Sequence, residues 1–183
     1  AEYIDIIEQE SLRLSAMATN VLNLTKIENQ TILTGVSEYN LSEQIRNCVL
    51  LLENKWSRKD IVPELDFGEH TINANEEMLR QVWINLIDNA IKFGDEGTSF
   101  RIGITETENH IFVSVSNTGT EIPAESKEQI FRKFYQADES HSSEGNGIGL
   151  AIVKKVVSLH DGDVTVSSGN RKTVFTVSLP KLS

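Results

Sequence analysis

Apolar and polar positions follow different periods in different parts of the chain. Over residues 1–30, Ile7, Leu14, Met17, Val21 and Leu24 recur at the a and d spacing of a heptad interrupted at Glu10, and Ile4, Leu12 and Leu22 widen the stripe. This predicts one long helix with an apolar seam. An amphipathic surface helix would show the same spacing over so few heptads, but its place at the head of the chain favours an interaction helix. Residues 31–40 lose the period, carry Gly35 and read as a linker. Residues 41–56 regain a helical face at Leu41, Ile45, Cys48, Val49 and Leu52, with Asn40 or Ser42 as N-cap. Two short strands, 61–67 and 70–74, are parted by a turn at Gly68. A second helix, 76–93, is apolar at Met78, Leu79, Val82, Trp83, Leu86, Ile87 and Ala90, and its stop at Gly94 suggests a left-handed cap. Segments 99–105 and 110–116 alternate with period two and form a hairpin, 148–159 is a third helix, and 163–168 with 172–179 make a last pair of strands. Helices interspersed with mostly antiparallel strands predict an α/β fold, a two-layer α/β sandwich preceded by a long helix. The expected division is residues 1–30 as helix, 31–40 as linker and 41–183 as the principal domain.

Composition narrows the function classes. Lys and Arg total 17 against 27 Asp and Glu, so the formal charge of −10 argues against a nucleic-acid partner or adsorption on anionic lipid. One cysteine, Cys48, excludes an internal disulfide or a cysteine-based zinc site and fits a reducing compartment. The longest purely apolar run, residues 48–52, falls far short of the ~18 residues needed to cross a bilayer, and the first ten residues lack a signal-peptide layout. The expectation is a cytoplasmic chain with no membrane contact of its own.

Three segments carry candidate chemistry. In EGNGIGLAIVKK, Gly145, Gly147 and Gly149 run straight into an apolar helix, where glycines admit a ligand close to the backbone and helix N–H groups face an anion. A flexible loop with a helix cap would look alike. The run is neither a Rossmann fingerprint, since no strand leads into it, nor a P-loop, since no Lys-Ser or Lys-Thr follows. In NLIDNAIKF, Asn85, Asn89 and Lys92 fall at i, i+4 and i+7 on one helix face. An amide oxygen is a hard ligand suited to Mg²⁺ and a lysine suits a phosphate, although a solvated polar stripe is the plainer alternative. In VSVSNTGTEIP, a strand runs out into Asn117, Gly119 and Pro123, either to present one polar group to a flat heterocycle or to form an Asx turn.

Together with IFRKFYQAD ahead of the glycine run, these segments resemble the N, G1, F and G2 boxes of the catalytic and ATP-binding domain of sensor histidine kinases, within the wider Bergerat-fold family of ATPases and kinases. TNVLNLTKIENQ resembles the end of the second dimerisation helix of such kinases, and KTVFTVSLP their terminal strand with its Thr173. The resemblance implies Asn89 as Mg²⁺ ligand, Asn85 as a supporting amide, Lys92 as a phosphate contact and Phe93 against the nucleotide's edge. It implies backbone N–H groups of Gly145, Gly147 and Gly149 on the polyphosphate, Ile148 and Leu150 beside them with Leu150 near adenine, and Ile122 and Thr173 in the same pocket. Residues 135–144, from Tyr135, would be an ATP lid based on Phe131 and Phe134. ATP, Mg²⁺, a cognate response regulator, and in a full-length parent a homodimer through the N-terminal helix are the implied cofactors and partners.

Two departures stand out. The family places Asp, Gly and Gly where this chain has Asn117, Gly119 and Glu121. An amide oxygen still accepts from the adenine amino group but without charge assistance, which implies adenine affinity weakened by about 1 kcal/mol. Glu121 adds bulk and charge near the pocket. The family's Ser-His-Glu acceptor motif is absent: His70 lies in a strand, His110 at a turn, His141 in the lid segment and His160 at a helix end. The chain therefore reads as a catalytic domain with half a dimerisation hairpin, whose phospho-acceptor histidine lies upstream. A degenerate nucleotide-binding or interaction module of the same fold is the alternative, and a chaperone-like or anti-sigma-factor ATPase a more distant one.

Overall fold

The computed structural model describes residues 2–136 and 147–182. The elements run α1 (Glu2–Glu28), β1 (Ser37–Asn40), α2 (Leu41–Leu51), α3 (Glu53–Arg58), β2 (Val62–Asp66), β3 (Thr71–Ala74), α4 (Glu76–Phe93), β4 (Ser99–Glu106), β5 (His110–Thr118), α5 (Gly149–Leu159), β6 (Asp163–Gly169) and β7 (Lys172–Pro180). Five strands form one sheet in the order β2-β4-β5-β7-β6, with β2 parallel to β4 and the rest antiparallel. Helices α4 and α5 cover its inner face, α2 packs beside α4, and β1 pairs with β3 in a separate two-stranded sheet. This is the two-layer α/β sandwich that the periodicities predict, with the long helix ahead of it.

Alternation fixes which residues meet. Phe100, Ile102 and Ile104 of β4, Ile111, Val113 and Val115 of β5, and Phe175, Val177 and Leu179 of β7 are buried. Their neighbours in sequence are turned away. Against this row α4 sets Leu79, Val82, Trp83, Leu86 and Ile87, and α5 sets Ile152, Val153, Val156 and Val157. Period two carries the inward row of β5 one step past its last valine to Asn117, and that of β7 begins at Thr173. The register pairs Asn117 with Thr173.

The structure departs from the sequence reading in three places and decides one strand pairing that the sequence left open. The last four residues of the predicted linker form β1, too short for periodicity to betray. The two strands around Gly68 do not pair with each other but join different sheets. The helix predicted over 41–56 breaks at Leu52, because the Val49 carbonyl accepts both the Leu52 N–H at 3.2 Å and the Trp56 indole N–H at 2.9 Å. Gly94 is extended (φ −69°, ψ 146°), not left-handed. Glycine is required there for space: a Cβ would lie 2.8 Å from the Ala90 carbonyl oxygen.

Helix α1 buries only Leu24 and Ile27, near its end, where it packs against α5. Of the predicted seam, Ile7, Leu14, Met17 and Val21 are exposed, as is the flanking Ile4, while Leu24 is buried. No helix among the described residues is long and apolar enough to cross a membrane.

His160 ties the end of α5 to the start of α4. Its Nδ1 donates to the Val156 carbonyl at 2.8 Å and its Nε2 accepts the Asn75 N–H at 3.1 Å, so both nitrogens are engaged by the neutral ring. Burial holds its pKa below the ordinary value, a depression only partly offset by the Val156 carbonyl and Asp161. With the folded pKa below the unfolded one, the unfolded state binds the extra proton first. Stability should therefore be intact above about pH 6.5 and decline as pH falls toward the folded pKa. Urea midpoints at pH 7 and pH 5 should differ for the native chain, and less so for His160→Gln.

Candidate functional site

A cavity of about 1230 Å³ opens between α4, the start of α5, the end of β5 and the α1 face. The α4 spacing resolves as expected: Asn85, Asn89 and Lys92 all line it, each half-buried, while the intervening apolar residues of the helix face the core. Asn75 starts the helix by accepting the Met78 N–H at 3.0 Å, which sets the phase of this face. At the far end Lys59 Nζ donates to the carbonyls of Ile91 (2.9 Å) and Lys92 (2.7 Å), a cation at a helix C-terminus. That contact fixes the turn carrying Lys92 and Phe93. The Lys92 ammonium lies 5.0 Å from the centre of the Phe93 ring, and Phe93 also lines the cavity.

Asn85 links the two helices. Its Nδ2 donates to the Gln81 carbonyl at 2.7 Å, and its Oδ1 stands so near α5 that a Cβ on Gly149 would come within 2.6 Å. Glycine at 149 is thus a packing requirement as well as an opening. The N-terminus of α5 has no side-chain cap and no acidic residue in its first turn. Its first-turn N–H groups, lacking intrahelical acceptors, offer the positive end of the helix to the cavity.

Gly147 (φ +69°) accepts the Phe134 N–H at 2.8 Å, tying together the residues on either side of 137–146. A Cβ there would sit 2.8 Å from the Phe134 backbone. Gly145, His141 and most of the predicted lid fall within 137–146, outside the described residues. At the lid's predicted base Phe131 packs edge-on against Phe175, centroids 6.2 Å apart, and Tyr135 donates to Ser126 Oγ at 2.9 Å. Phe134 is 62% exposed and left-handed, so it anchors through its backbone and not its ring.

The buried end of the cavity is formed by Asn117 and Thr173, with Ile122, Ile130 and Leu150 around them. Ile148, fully buried, supports this end from within the core and does not line it. Thr173 Oγ1 hydrogen-bonds Ser168 Oγ at 2.8 Å, which accepts the Ile122 N–H at 2.9 Å. Gly119 serves the backbone: a Cβ there would fall 2.1 Å from the Phe93 carbonyl oxygen. Thr120 N–H donates to that carbonyl (3.0 Å), Asp95 N–H to Thr118 (2.8 Å) and Gly119 N–H to Arg171 (2.8 Å). The first two bonds stitch the end of β5 to the end of α4, near the Lys92 turn, and the third ties the end of β5 to the β6–β7 turn. Glu121 stands at the rim with its carboxylate accepting the Arg171 N–H.

Sequence reasoning missed Lys59 and Ser168. Neither belongs to a local pattern; each acts on a segment more than thirty residues away in the chain (Lys59 on Lys92) or through the β6–β7 hairpin.

A mixed sheet under helices thus sets amides, a lysine and an open helix N-terminus around one cavity. Residues 74–183 match the family described as histidine kinase-, DNA gyrase B-, and HSP90-like ATPase, and the chain belongs to that family. It is similar to the heme sensor protein HssS of Staphylococcus saprophyticus, 30% identical over 182 residues, covering 99% of this chain and 39% of that protein. HssS of Staphylococcus aureus strain Newman is 28% identical over 183 residues, covering 100% and 40% respectively. The chain thus spans about 40% of the length of the curated relatives it matches. Among solved structures, the catalytic domain of histidine kinase ThkA superposes with TM-score 0.72 at 32% identity over 81% of this chain and 97% of that one. ThkA in complex with its response regulator protein TrrA gives 0.79 at 30% identity, covering 100% and 51%. Within the family, the chain is a histidine kinase ATPase catalytic domain with its ATP-binding fold.

Proposed function

We propose that this domain binds Mg-ATP in the described cavity and serves a two-component sensor kinase, transferring the γ-phosphoryl group to a histidine outside these 183 residues. The bond from the γ-phosphorus to the bridging oxygen breaks, a phosphorus–nitrogen bond forms to the unprotonated imidazole nitrogen, ADP leaves with the bridging oxygen, and the other ring nitrogen releases its proton to solvent. The carrying observation is convergence: Asn85, Asn89, Lys92 and the uncapped α5 N-terminus surround one cavity whose deep end holds the buried Asn117 amide. Lys92 and the first-turn N–H groups would orient and neutralise the polyphosphate, the work that phosphoryl transfer chiefly needs.

The donor set fits Mg²⁺. No cluster of three or more His, Cys, Asp or Glu suited to a metal occurs among the described residues, and Asp88 is paired with Lys55 at 2.6 Å. With Asn89 on the cavity wall as one hard donor, the ion would be held by its Oδ1 and mostly by phosphate oxygens and water. When bound, the ion would neutralise phosphate charge.

None of the three described histidines offers itself as acceptor. His70 pairs with Glu106, His110 stacks obliquely on Phe112, and His160 is buried with both nitrogens engaged. The exposed α1 seam would serve a homodimer in a longer parent, with residues 1–30 forming half of its dimerisation hairpin. A response regulator would take the phosphoryl group onward, as the ThkA–TrrA complex suggests by analogy. Use of ATP and a single unpaired cysteine, Cys48, suit the cytoplasmic side of a cell.

Calorimetric titration tests the proposal. Mg-ADP should bind, and chelating Mg²⁺ should weaken binding by about tenfold or more, since the overall charge of −10 gives the polyanion no help from the surface at large. No binding at millimolar Mg-ADP would favour the degenerate interaction module instead.

A further inference from the structure

The cavity's two ends differ in chemistry. Among the described polar residues that line it, only Asn117 and Thr173 are more than nine-tenths buried, at 5% and 4% exposure. With Ile122, Ile130 and Leu150 beside them, they form an apolar slot with two polar groups. On the nucleotide reading above, on which this inference rests, that slot receives the base while Asn89, Lys92 and the α5 N-terminus take the phosphates.

Neither polar group has a fixed hydrogen-bond polarity. The Asn117 amide carries an acceptor, Oδ1, and a donor, Nδ2, on one torsion with a broad, roughly two-fold preference. Its Nδ2 is buried and has no hydrogen-bond partner within the protein. Because nothing within the protein accepts that N–H and no side-chain bond engages the amide oxygen, no bond holds the amide in one of its two orientations. Thr173 Oγ1 and Ser168 Oγ share a hydrogen bond in which either can donate. Because Ser168 Oγ also accepts the Ile122 N–H, its proton can go to Thr173, freeing the Thr173 proton for a ligand; reversing that bond leaves the threonine oxygen to accept from one.

Purines present two opposite edges here. A 6-aminopurine offers a donor at C6 and an acceptor at N1; a 6-oxopurine offers an acceptor at C6 and a donor at N1. A carboxylate at position 117 would accept only, satisfying the first edge and repelling the second. An amide turned through 180° complements either edge, because its acceptor and its donor exchange places. Glu121, the nearest carboxylate in the chain after Asn117, is engaged by the Arg171 N–H and restores no fixed acceptor. We infer that Asn117 makes this a site for both 6-amino- and 6-oxopurine nucleotides, so that inosine nucleotides bind beside those of adenine.

The test uses the 183-residue chain with Mg²⁺, titrated with ADP and with inosine diphosphate, which differ only at the purine 6 edge. The inosine nucleotide should bind within about tenfold of ADP, and Asn117→Asp should open that ratio beyond about tenfold in favour of ADP. Binding of inosine diphosphate more than about tenfold weaker than ADP by the native chain overturns the inference and leaves the nucleotide site standing. An unchanged ratio in a folded Asn117→Asp chain also overturns it. Absence of binding by both nucleotides overturns the nucleotide reading itself. The native-chain ratio needs no variant, so it decides the matter even if Asn117→Asp misfolds.

Discussion

Replacing Asn89 with alanine is expected to abolish magnesium-dependent nucleotide binding, a loss of about a hundredfold or more, while leaving the fold intact. Asn89 projects from α4 into the cavity one turn from both Asn85 and Lys92. On the proposed reading, its amide oxygen is the hard donor that would hold a divalent ion. The adjacent carboxylate, Asp88, is drawn off by Lys55, and no acidic cluster among the described residues stands ready to replace it. Even partners one shell out from a metal contribute ten- to hundredfold, so loss of a direct ligand belongs at about the upper end of that range or above. Asn89 is half-buried and has no capping role, so alanine, the best helix former, should cost the helix nothing. Titration of native and Asn89→Ala chains with Mg-ADP, each repeated with chelator, reads the effect. Equal affinities would refute the placing of the ion at Asn89.

Gly119→Ala should have the largest effect on stability, about 3 kcal/mol, which for a chain of this size lowers Tm by about 6–12 °C. The new Cβ would lie 2.1 Å from the Phe93 carbonyl oxygen, 2.9 Å from the Asp95 nitrogen and 3.0 Å from the Gly94 Cα. All three are backbone atoms, so no side chain can swing aside. Relief requires parting the ends of β5 and α4, which the bonds from Thr120 to Phe93 and from Asp95 to Thr118 hold together. Because the same seam positions Asn117 relative to Lys92, nucleotide affinity should fall with stability. Thermal unfolding and Mg-ADP titration of one sample would reveal both. Gly68→Ala, where a Cβ meets nothing within 4 Å, is the matched control and should change neither.

These two residues mark how far the sequence could be read. Asn89 was legible because its evidence is local: three polar positions on one face of a helix whose predicted span, 76–93, coincides with α4. Gly119 was legible only as a glycine beside a strand end. That it admits the Phe93 carbonyl, and does not itself open space for a ligand, depends on a segment some twenty-five residues earlier. Gly149 shows both aspects, since its place at the head of a helix was plain while its contact with Asn85 was not. The resemblance carried by four ordered boxes supplied the fold and candidate site together, but left the side-chain direction of Glu121 open until its bond to Arg171 was seen.

What the sequence determined by itself is whatever short-range periodicity encodes: the helices, the alternating strands, the inward phase that runs through Val113 and Val115 to Asn117, and the amide and lysine stripe of α4. Helical bonds and strand alternation repeat within a few residues, so their signal survives without tertiary information. Only the tertiary structure decided the parallel pairing of β2 with β4, the pairing of β1 with β3, the break at Leu52, and the extended conformation of Gly94. The same holds for the juxtaposition of Asn117 with Thr173, fifty-six positions later, and for Lys59 at the end of α4. Each of these is settled by which surfaces bury one another and which backbone groups then need partners, a condition on the whole chain that no local window contains.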